Sequence, residues 1–266
     1  MAQDDPKTLV STQWLKNNLK HPDLRVLDAS WHLPNEDRNG FAEFEMGHIP
    51  GARFFDIDDI SDHRSSLPHM VPPVEKFMSR VRALGVGDGH QIVVYDSKGL
   101  FSAARVWWLF RMMGHDSIAV LDGGLPKWIA DGNPVDTGAP IIRDRHMTVQ
   151  PRPHMVRDVT QVAHAAKLRD HEIIDARAAA RFRGDAPEPR QGLRAGQALG
   201  RELRQVAPVL EHHHAARLDR DRRLVRDHDH GAPLLAAELL QELADRLPGD
   251  RVEAAGRLVR EDDLRA

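Results

Sequence analysis

The sequence contains no cysteine among its 266 residues. This absence excludes disulfide bonds, thiolate metal sites and every mechanism that uses a cysteine nucleophile. No apolar run approaches the roughly 20 residues that a membrane-spanning helix needs, so we expect no membrane association. The formal net charge is −3, whereas a nucleic-acid-binding surface would be strongly basic, so we expect no nucleic-acid partner either.

The amino-terminal residues also lack a basic segment that leads into an apolar stretch. A secretory signal would have that pattern, so we predict a cytoplasmic protein. Hydrophobic residues make up 41% of the chain, which is enough to build a core. The length suits one large domain or two domains of ordinary size.

Residues 9–136 alternate between strand-like and helix-like segments. Compact apolar runs predict buried strands at 25–29, 91–96 and 118–122. Amphipathic or apolar periodic segments predict helices at 14–19, 76–84 and 102–113, and a short one around Trp128. The alternation predicts an α/β fold, with a mostly parallel sheet covered by helices on both faces. We expect its core to include Val26, Leu27, Ile92, Val93, Val94, Trp107 and Val120.

The opening pattern of the chain returns after a segment that is rich in proline. Val26-Leu27-Asp28-Ala29 in the first part resembles Ile173-Ile174-Asp175-Ala176 in the second, with the two aspartates 147 positions apart. We interpret this as a tandem duplicated domain. The first copy occupies 9–136, a linker occupies 137–155, and the second copy starts within 156–196.

The second copy is predicted to be incomplete. Its central strand and loop should lie near residue 243, but residues 234–243 have a helical pattern without a β-branched residue. Residues 197–266 use only ten residue types, and every aromatic residue precedes them. Such a restricted set is what GC-rich coding DNA gives when it is read out of frame. We hypothesise a frameshift near Gly196; a genuinely divergent tail is the alternative.

Several segments resemble, in the right order, the motifs of the two-domain rhodanese sulfurtransferases. Residues 44–55 (FEMGHIPGARFF) resemble the amino-terminal signature of that family, and segments within 94–108 and 121–128 resemble the rest of its first domain. Segments within 175–190 resemble the opening of its second domain. The resemblance covers about residues 9–196.

The resemblance implies an enzyme that moves sulfane sulfur from a small-molecule donor to a thiol or cyanide acceptor, without a cofactor or a metal. The sulfur is carried as a cysteine persulfide in a loop of the second domain, where backbone N–H groups favour the anion. The first domain has the same loop without the nucleophile. Here that loop begins at Asp96, whose carboxylate cannot carry a sulfane sulfur. We therefore expect the chain to be inactive.

The resemblance also assigns four candidate site residues. Asp58 and His69 match positions that complete a serine–histidine–aspartate relay beside the thiolate in 3-mercaptopyruvate sulfurtransferases. Arg181 and Arg190 match the two arginines that bind the substrate carboxylate, for which a guanidinium fork is well suited. Thiosulfate enzymes usually lack the histidine and the second arginine, so 3-mercaptopyruvate is favoured over thiosulfate as the donor.

Other interpretations stay open at several of these positions. Taken alone, His69 would be a surface-loop histidine, and Arg181 and Arg190 would be solvated charges. Residues 212–214 and 227–230 resemble metal-ligand clusters, but adjacent histidines on an exposed segment rarely form a closed site, so we expect no metal. The alternative function is a non-catalytic rhodanese-like module that binds an anion or a partner through the loop at Asp96.

Overall fold

The structure, a computed structural model, describes residues 4–65, 67–138, 140–168, 172–174, 180, 185–186, 252–254 and 258–260. The chain divides into two compact units, Met1–Arg152 and Pro153–Ala266. Arg181 and Arg190 lie outside the described residues, as do the helix predicted at 234–243 and the two histidine-rich segments.

The first unit is built around a five-stranded parallel sheet. Its strands are β1 (Leu9–Val10), β2 (Leu24–Asp28), β3 (Arg53–Phe54), β4 (Gln91–Tyr95) and β5 (Ile118–Leu121), in the order β1-β5-β4-β2-β3. The register of the central pair runs from Leu24 opposite Gln91 to Asp28 opposite Tyr95. Asp28 and the loop that follows Tyr95 therefore meet at the carboxyl edge of the sheet, where ligands bind in open α/β sheets.

Helices cover both faces of this sheet, as predicted. They are α1 (Thr12–Asn18), α2 (Gly40–Met46), α3 (Val74–Ala83), α4 (Ala103–Met112) and α5 (Gly124–Ala130). Val26 and Val93 share a core cluster with Leu15 of α1 and Trp128 of α5. The residues that alternate with these along each strand point to the opposite face of the sheet. On that face Trp107 of α4 donates its indole N–H to a β5 carbonyl.

All seven residues predicted for the core are buried, with at most 4% of their surface exposed. The predicted helices are confirmed to within about two residues at each end. Helix α3 begins at Val74 rather than at residue 76, because Pro73 is extended and its carbonyl accepts the N–H of Phe77. Helix α2 was not predicted; it begins where the Asn39 side chain accepts the N–H of Ala42.

The segment predicted as a linker, 137–155, contributes residues to the first unit. Met147 is fully buried. Arg152 donates two hydrogen bonds of 2.6 Å to the carboxylate of Asp116, which lies just before β5. A bidentate pair of this kind fixes both side chains. The part of the segment from Met147 to Arg152 is therefore packed on the first domain rather than extended in solvent.

The second unit contains a short 3₁₀ turn at Pro153–Met155, helix α6 (Val159–Leu168) and strand β6 (Glu172–Ile174). Strands β7 (Val252–Ala254) and β8 (Leu258–Arg260) complete a three-stranded sheet in the order β6-β8-β7. Both pairings in it are antiparallel. In the sequence repeat β6 corresponds to β2, which pairs in parallel on both sides. Among the described helices of the two units, none is long and apolar enough to cross a membrane.

Candidate functional site

Asp58 and His69 form a hydrogen-bonded pair in the connection between β3 and α3. His69 Nε2 lies 2.7 Å from Asp58 Oδ1. The imidazole is buried, with 5% of the side chain exposed, whereas the Asp58 side chain is 66% exposed. The structure therefore brings together the two residues of the first domain that the resemblance assigned to a relay.

A local turn determines where Asp58 lies. The Asp56 carboxylate accepts the backbone N–H groups of Asp58 and Asp59 at 2.9 and 3.0 Å, as an aspartate does when it closes a turn on its own backbone. Ser61 Oγ donates to the Asp58 carbonyl at 2.6 Å. Asp59 in turn accepts from Arg80 of α3. The sequence DIDDIS thus forms a hydrogen-bonded turn that is anchored to the next helix.

Trp31 contacts both members of the pair, and sequence analysis did not identify it. Its indole N–H donates to Asp58 Oδ2 at 3.0 Å. Its ring meets the His69 ring edge to face, with 4.8 Å between centroids. Trp31 follows the carboxyl end of β2 by three residues, and that position at the sheet edge was the signal available in the sequence.

Arg105 is the second residue that sequence analysis missed. It lies in α4 between Ala104 and Val106, is buried, and donates to the backbone carbonyl of His69. Burial lowers the pKa of Arg105 to about 10, and the Asp58 charge opposes this shift. His69 has a φ of 56°, which is uncommon for a residue other than glycine. Arg105 therefore stabilises an unfavourable backbone conformation at His69. A charged residue within an apolar helix was the available signal.

A carboxylate and an imidazole in this contact are able to orient the ring for proton transfer. Because a carboxylate accepts hydrogen bonds, the neutral His69 ring carries its proton on Nε2, and Nδ1 is the basic atom. An aspartate in this position orients the ring and stabilises its charged form. A cavity of about 350 Å³ adjoins the pair. It is lined by Asp58, Ser61, Asp62, His63, Ser65, Leu67, Pro68 and His69.

The loop that follows β4 forms a cradle of backbone N–H groups, and the protein's own Asp96 fills it. Asp96 Oδ1 accepts the N–H groups of Lys98 and Gly99, both at 2.9 Å. Asp96 Oδ2 accepts those of Phe101 and Ala103, at 2.7 and 2.9 Å. Converging N–H groups favour an anion, and here the anion is internal. This geometry disfavours the alternative in which the same loop binds an external anion.

This cradle is linked to the relay pair through aromatic contacts. The Phe101 ring stacks on Trp31 with 6.3 Å between centroids, and Lys98 Nζ lies 4.3 Å from the centre of the Phe101 ring. Lys98 also donates to both carboxylate oxygens of Glu36, at 2.6 and 2.7 Å. Trp31 therefore contacts the Asp58–His69 pair on one side and the Asp96 loop on the other.

Asp28 is a buried carboxyl group at the same edge of the sheet. Burial raises its pKa to about 6, against the opposing effect of hydrogen bonds from Ser30 and Tyr95. The Ser30 N–H donates to Asp28 Oδ1 at 2.8 Å. Burial and the nearby Asp28 charge raise the pKa of Tyr95 well above its usual value. Asp28 thus titrates at a higher pH in the folded chain than in the unfolded one.

His48 has a structural role in the turn that follows α2. Its Nδ1 lies 2.7 Å from the carbonyl oxygen of Phe44, and its ring stacks on the Phe44 ring with centroids 3.9 Å apart. Within the part of the chain that the structure describes, no three histidine or acidic side chains are grouped as metal ligands would be.

The chain is similar to known sulfurtransferases over most of its length. Residues 11–131 match the family model described as "Rhodanese-like domain". The chain is 46% identical to thiosulfate/3-mercaptopyruvate sulfurtransferase 1 of Arabidopsis thaliana over 213 residues, which cover 72% of this chain and 56% of the relative. It is 42% identical to 3-mercaptopyruvate sulfurtransferase of Escherichia coli K12 over 192 residues, which cover 72% and 68%.

A solved structure supports the same assignment. The crystal structure of SseA from Escherichia coli, described as a 3-mercaptopyruvate sulfotransferase, superposes with a TM-score of 0.64 at 40% identity. The match covers 69% of this chain and 71% of that one. Fold and site thus define a rhodanese-like α/β domain. The chain belongs to the rhodanese family of sulfurtransferases. It spans little more than half of the length of the Arabidopsis relative.

Proposed function

We propose that this chain is a form of 3-mercaptopyruvate sulfurtransferase that cannot itself transfer sulfur. The observation that carries the proposal is the 2.7 Å contact between His69 Nε2 and Asp58 Oδ1 in a chain that has no cysteine. The first feature belongs to the relay of the mercaptopyruvate enzymes. The second removes the nucleophile on which the relay acts.

The chemistry explains why cysteine is indispensable. A cysteine thiolate attacks the sulfur of 3-mercaptopyruvate, the carbon–sulfur bond breaks, and its electron pair leaves on the pyruvate enolate, which then takes up a proton. An acceptor thiolate or cyanide attacks the outer sulfur of the persulfide and releases the cysteine thiolate again. The nucleophile must accept sulfur and then act as a leaving group. Both steps are reversible near neutral pH because the attacking and leaving atom is a polarisable sulfur. The oxygen atoms of serine and aspartate are not polarisable enough to replace it.

The donor proposed is 3-mercaptopyruvate rather than thiosulfate. Asp58 and His69 are both present, and relatives at 40–46% identity carry 3-mercaptopyruvate in their names. Arg181 and Arg190 are proposed to bind the donor carboxylate and its neighbouring carbonyl as guanidinium forks. The proposed acceptor is a small thiol or cyanide. The proposed location is the cytoplasm, and since one relative is named as mitochondrial, fractionation of the source cells tests this point.

The test is to restore the reading frame after Gly196 and assay the product. We expect the restored protein to contain a cysteine loop near residue 243 and to prefer 3-mercaptopyruvate to thiosulfate. In that protein His69→Ala should lower kcat with little change in KM. The exposed His21 is the matched control, and His21→Ala should leave both constants unchanged.

Arg190→Ala in the restored protein should instead raise KM for 3-mercaptopyruvate. The loss of a charged hydrogen bond to the carboxylate should reduce the binding free energy by roughly 1.5–3 kcal/mol. Two results would contradict the proposal. One is a restored sequence without a cysteine in that loop. The other is activity that is equally high with His69 replaced.

A further inference from the structure

Three arginines that do not contact the Asp58–His69 pair gather on one face of the first domain. Arg25 and Arg53 lie on the neighbouring strands β2 and β3, where Arg53 is opposite Leu27 in the register. Because side chains alternate along a strand, Arg25, Leu27 and Arg53 point to the same face of the sheet. Arg25 lies near the amino end of β2, and Arg53 lies level with Leu27, one residue before β2 ends at Asp28.

The third arginine, Arg145, reaches the same region from the segment that packs back on this domain. A Cβ atom at Gly87 would lie 2.7 Å from Arg145 Cβ, so the two backbones are in close contact. Arg82 of α3 donates to the Arg145 carbonyl at 3.2 Å. Arg25 Nε donates to the carbonyl of Gly85, in the same turn, at 3.1 Å. The turn at 85–87 thus positions Arg25 and Arg145 side by side.

Little negative charge balances this group. Among the described residues no carboxylate forms an ion pair with Arg25, Arg53 or Arg145, and Asp23 is the acid whose charge acts on Arg25. Burial, followed by repulsion from Arg25 and Arg145, lowers the pKa of Arg53 to about 10. Burial and the charges of the same three arginines also lower the pKa of His90. Positive charge thus acts on each group, and at Arg25 and His90 the charge of Asp23 opposes it.

Arg53 also has hydrogen-bonding capacity that the described protein does not use. Its Nε is buried and has no acceptor among the described residues. Its one described hydrogen bond runs from a terminal nitrogen to the Gly51 carbonyl at 3.3 Å. A buried donor without an acceptor costs free energy, and in native structures such a group commonly indicates a water or an ion. The orphan donor leaves a place for a further acceptor at Arg53, and the surrounding positive charge favours an anion there.

We propose that Arg25, Arg53 and Arg145 form a binding site for a small, doubly charged tetrahedral oxyanion such as inorganic phosphate or sulfate. Planar guanidinium groups bind such anions through paired N–H donors, and Arg53 and Arg145 would supply them here. Arg25 would contribute mainly its charge, because its Nε and Nη1 already donate to the backbone carbonyls of Gly85, Pro22 and Leu24. Three cations match a small anion; a nucleic acid would need a longer basic surface. The site shares no residue with the relay pair and does not depend on the proposed sulfur chemistry.

The test is a calorimetric titration of the full 266-residue chain with sodium sulfate and, separately, with sodium phosphate, at ionic strength held constant with sodium chloride. We expect saturable binding and a rise in Tm with either anion. Arg53→Gln and Arg145→Gln should each weaken binding at least tenfold, and amide resonances of residues 85–87 should shift on titration. Arg145 is exposed, so its variant tests the site without risk to the core.

Arg64 provides the matched control, because it is exposed and paired with Asp62, outside this group. Arg64→Gln removes the same charge and should bind sulfate as the unaltered chain does. Three outcomes would overturn the proposal: no saturable binding of either anion, equal weakening in the Arg64 and Arg145 variants, or the same response to chloride as to sulfate.

Discussion

The Asp96 carboxylate lies 2.7 Å from the backbone nitrogen of Phe101, inside the loop that follows β4. The family resemblance matches this loop to the persulfide loop proposed for the second domain. Together with three further N–H donors, the contact with Phe101 fills the cradle with the protein's own carboxyl group. The first domain therefore retains the electrostatics of a sulfur-carrying loop, but here they stabilise the fold instead of a reactive thiolate.

Asp96→Ala should destabilise the first domain strongly, because four N–H groups lose a charged acceptor. Hydrogen bonds to charged groups contribute about 1.5–3 kcal/mol each and are not additive, so we expect a loss of about 3–5 kcal/mol in the free energy of unfolding. Urea denaturation measures this loss. Asp122→Ala, at an exposed position after β5, is the control and should change little. Equal stability of the two variants would contradict the account.

The Asp58–His69 contact predicts a specific tautomer. The neutral His69 ring should carry its proton on Nε2, whereas His48, which donates from Nδ1 to the Phe44 carbonyl, should show the opposite tautomer. Nitrogen-15 NMR of the imidazoles distinguishes the two forms. Asp58→Asn should change the His69 signals and leave those of His48 unaltered. A His69 ring protonated on Nδ1 in the unaltered chain would contradict the contact.

Arg105→Met should both destabilise the domain and disturb His69. The substitution keeps an apolar chain in the buried helix but leaves the His69 carbonyl without its charged donor, at a cost of about 1.5–3 kcal/mol. Arg105→Lys should recover part of this loss and also the NMR signature of His69. Arg143→Met, at an exposed position outside the turn that holds Asp58, is the control. If Arg105→Met lowers stability but leaves the His69 resonances unmoved, the positioning role is wrong.

Asp28 should make stability depend on pH between about 4 and 6. Its pKa rises from 3.8 to about 6 on folding, so in this range the folded chain binds more protons than the unfolded chain. Stability from this group is therefore present at low pH and decreases as pH rises, by at most about 3 kcal/mol over two pH units. Asp28→Asn removes the contribution. Denaturation of both proteins at pH 4, 5, 6 and 7 gives the free energy of unfolding of the unaltered chain minus that of the variant. This signed difference should fall as pH rises; a constant difference would refute the prediction.

The sequence was sufficient to predict the three central strands of the sheet but neither of its edge strands. Strands β2, β4 and β5 are apolar runs of four or five residues, and such runs have a clear pattern. Strands β1 and β3 have two residues each, too few for any periodicity. Helix α2 has seven residues and one fully buried side chain, Phe44, so it lacks the repeated apolar stripe by which a helix is recognised.

The candidate site was predictable only in part, for a different reason. Asp58 and His69 were identified through resemblance to a family, because two residues in a polar loop carry no periodic signal. Trp31 and Arg105 reach them from 27 and 36 positions away along the chain. Contacts of that kind form only when α4 packs on the sheet that contains β2, and no local sequence pattern encodes them.

The most direct test of the central claim is thiocyanate production by the 266-residue chain when it is supplied with cyanide and 3-mercaptopyruvate. The Escherichia coli 3-mercaptopyruvate sulfurtransferase serves as the positive control under the same conditions. We predict no thiocyanate above that formed in buffer, because no side chain of this protein can form and release a persulfide. Catalytic thiocyanate formation that increases in proportion to the concentration of the purified chain would contradict the account.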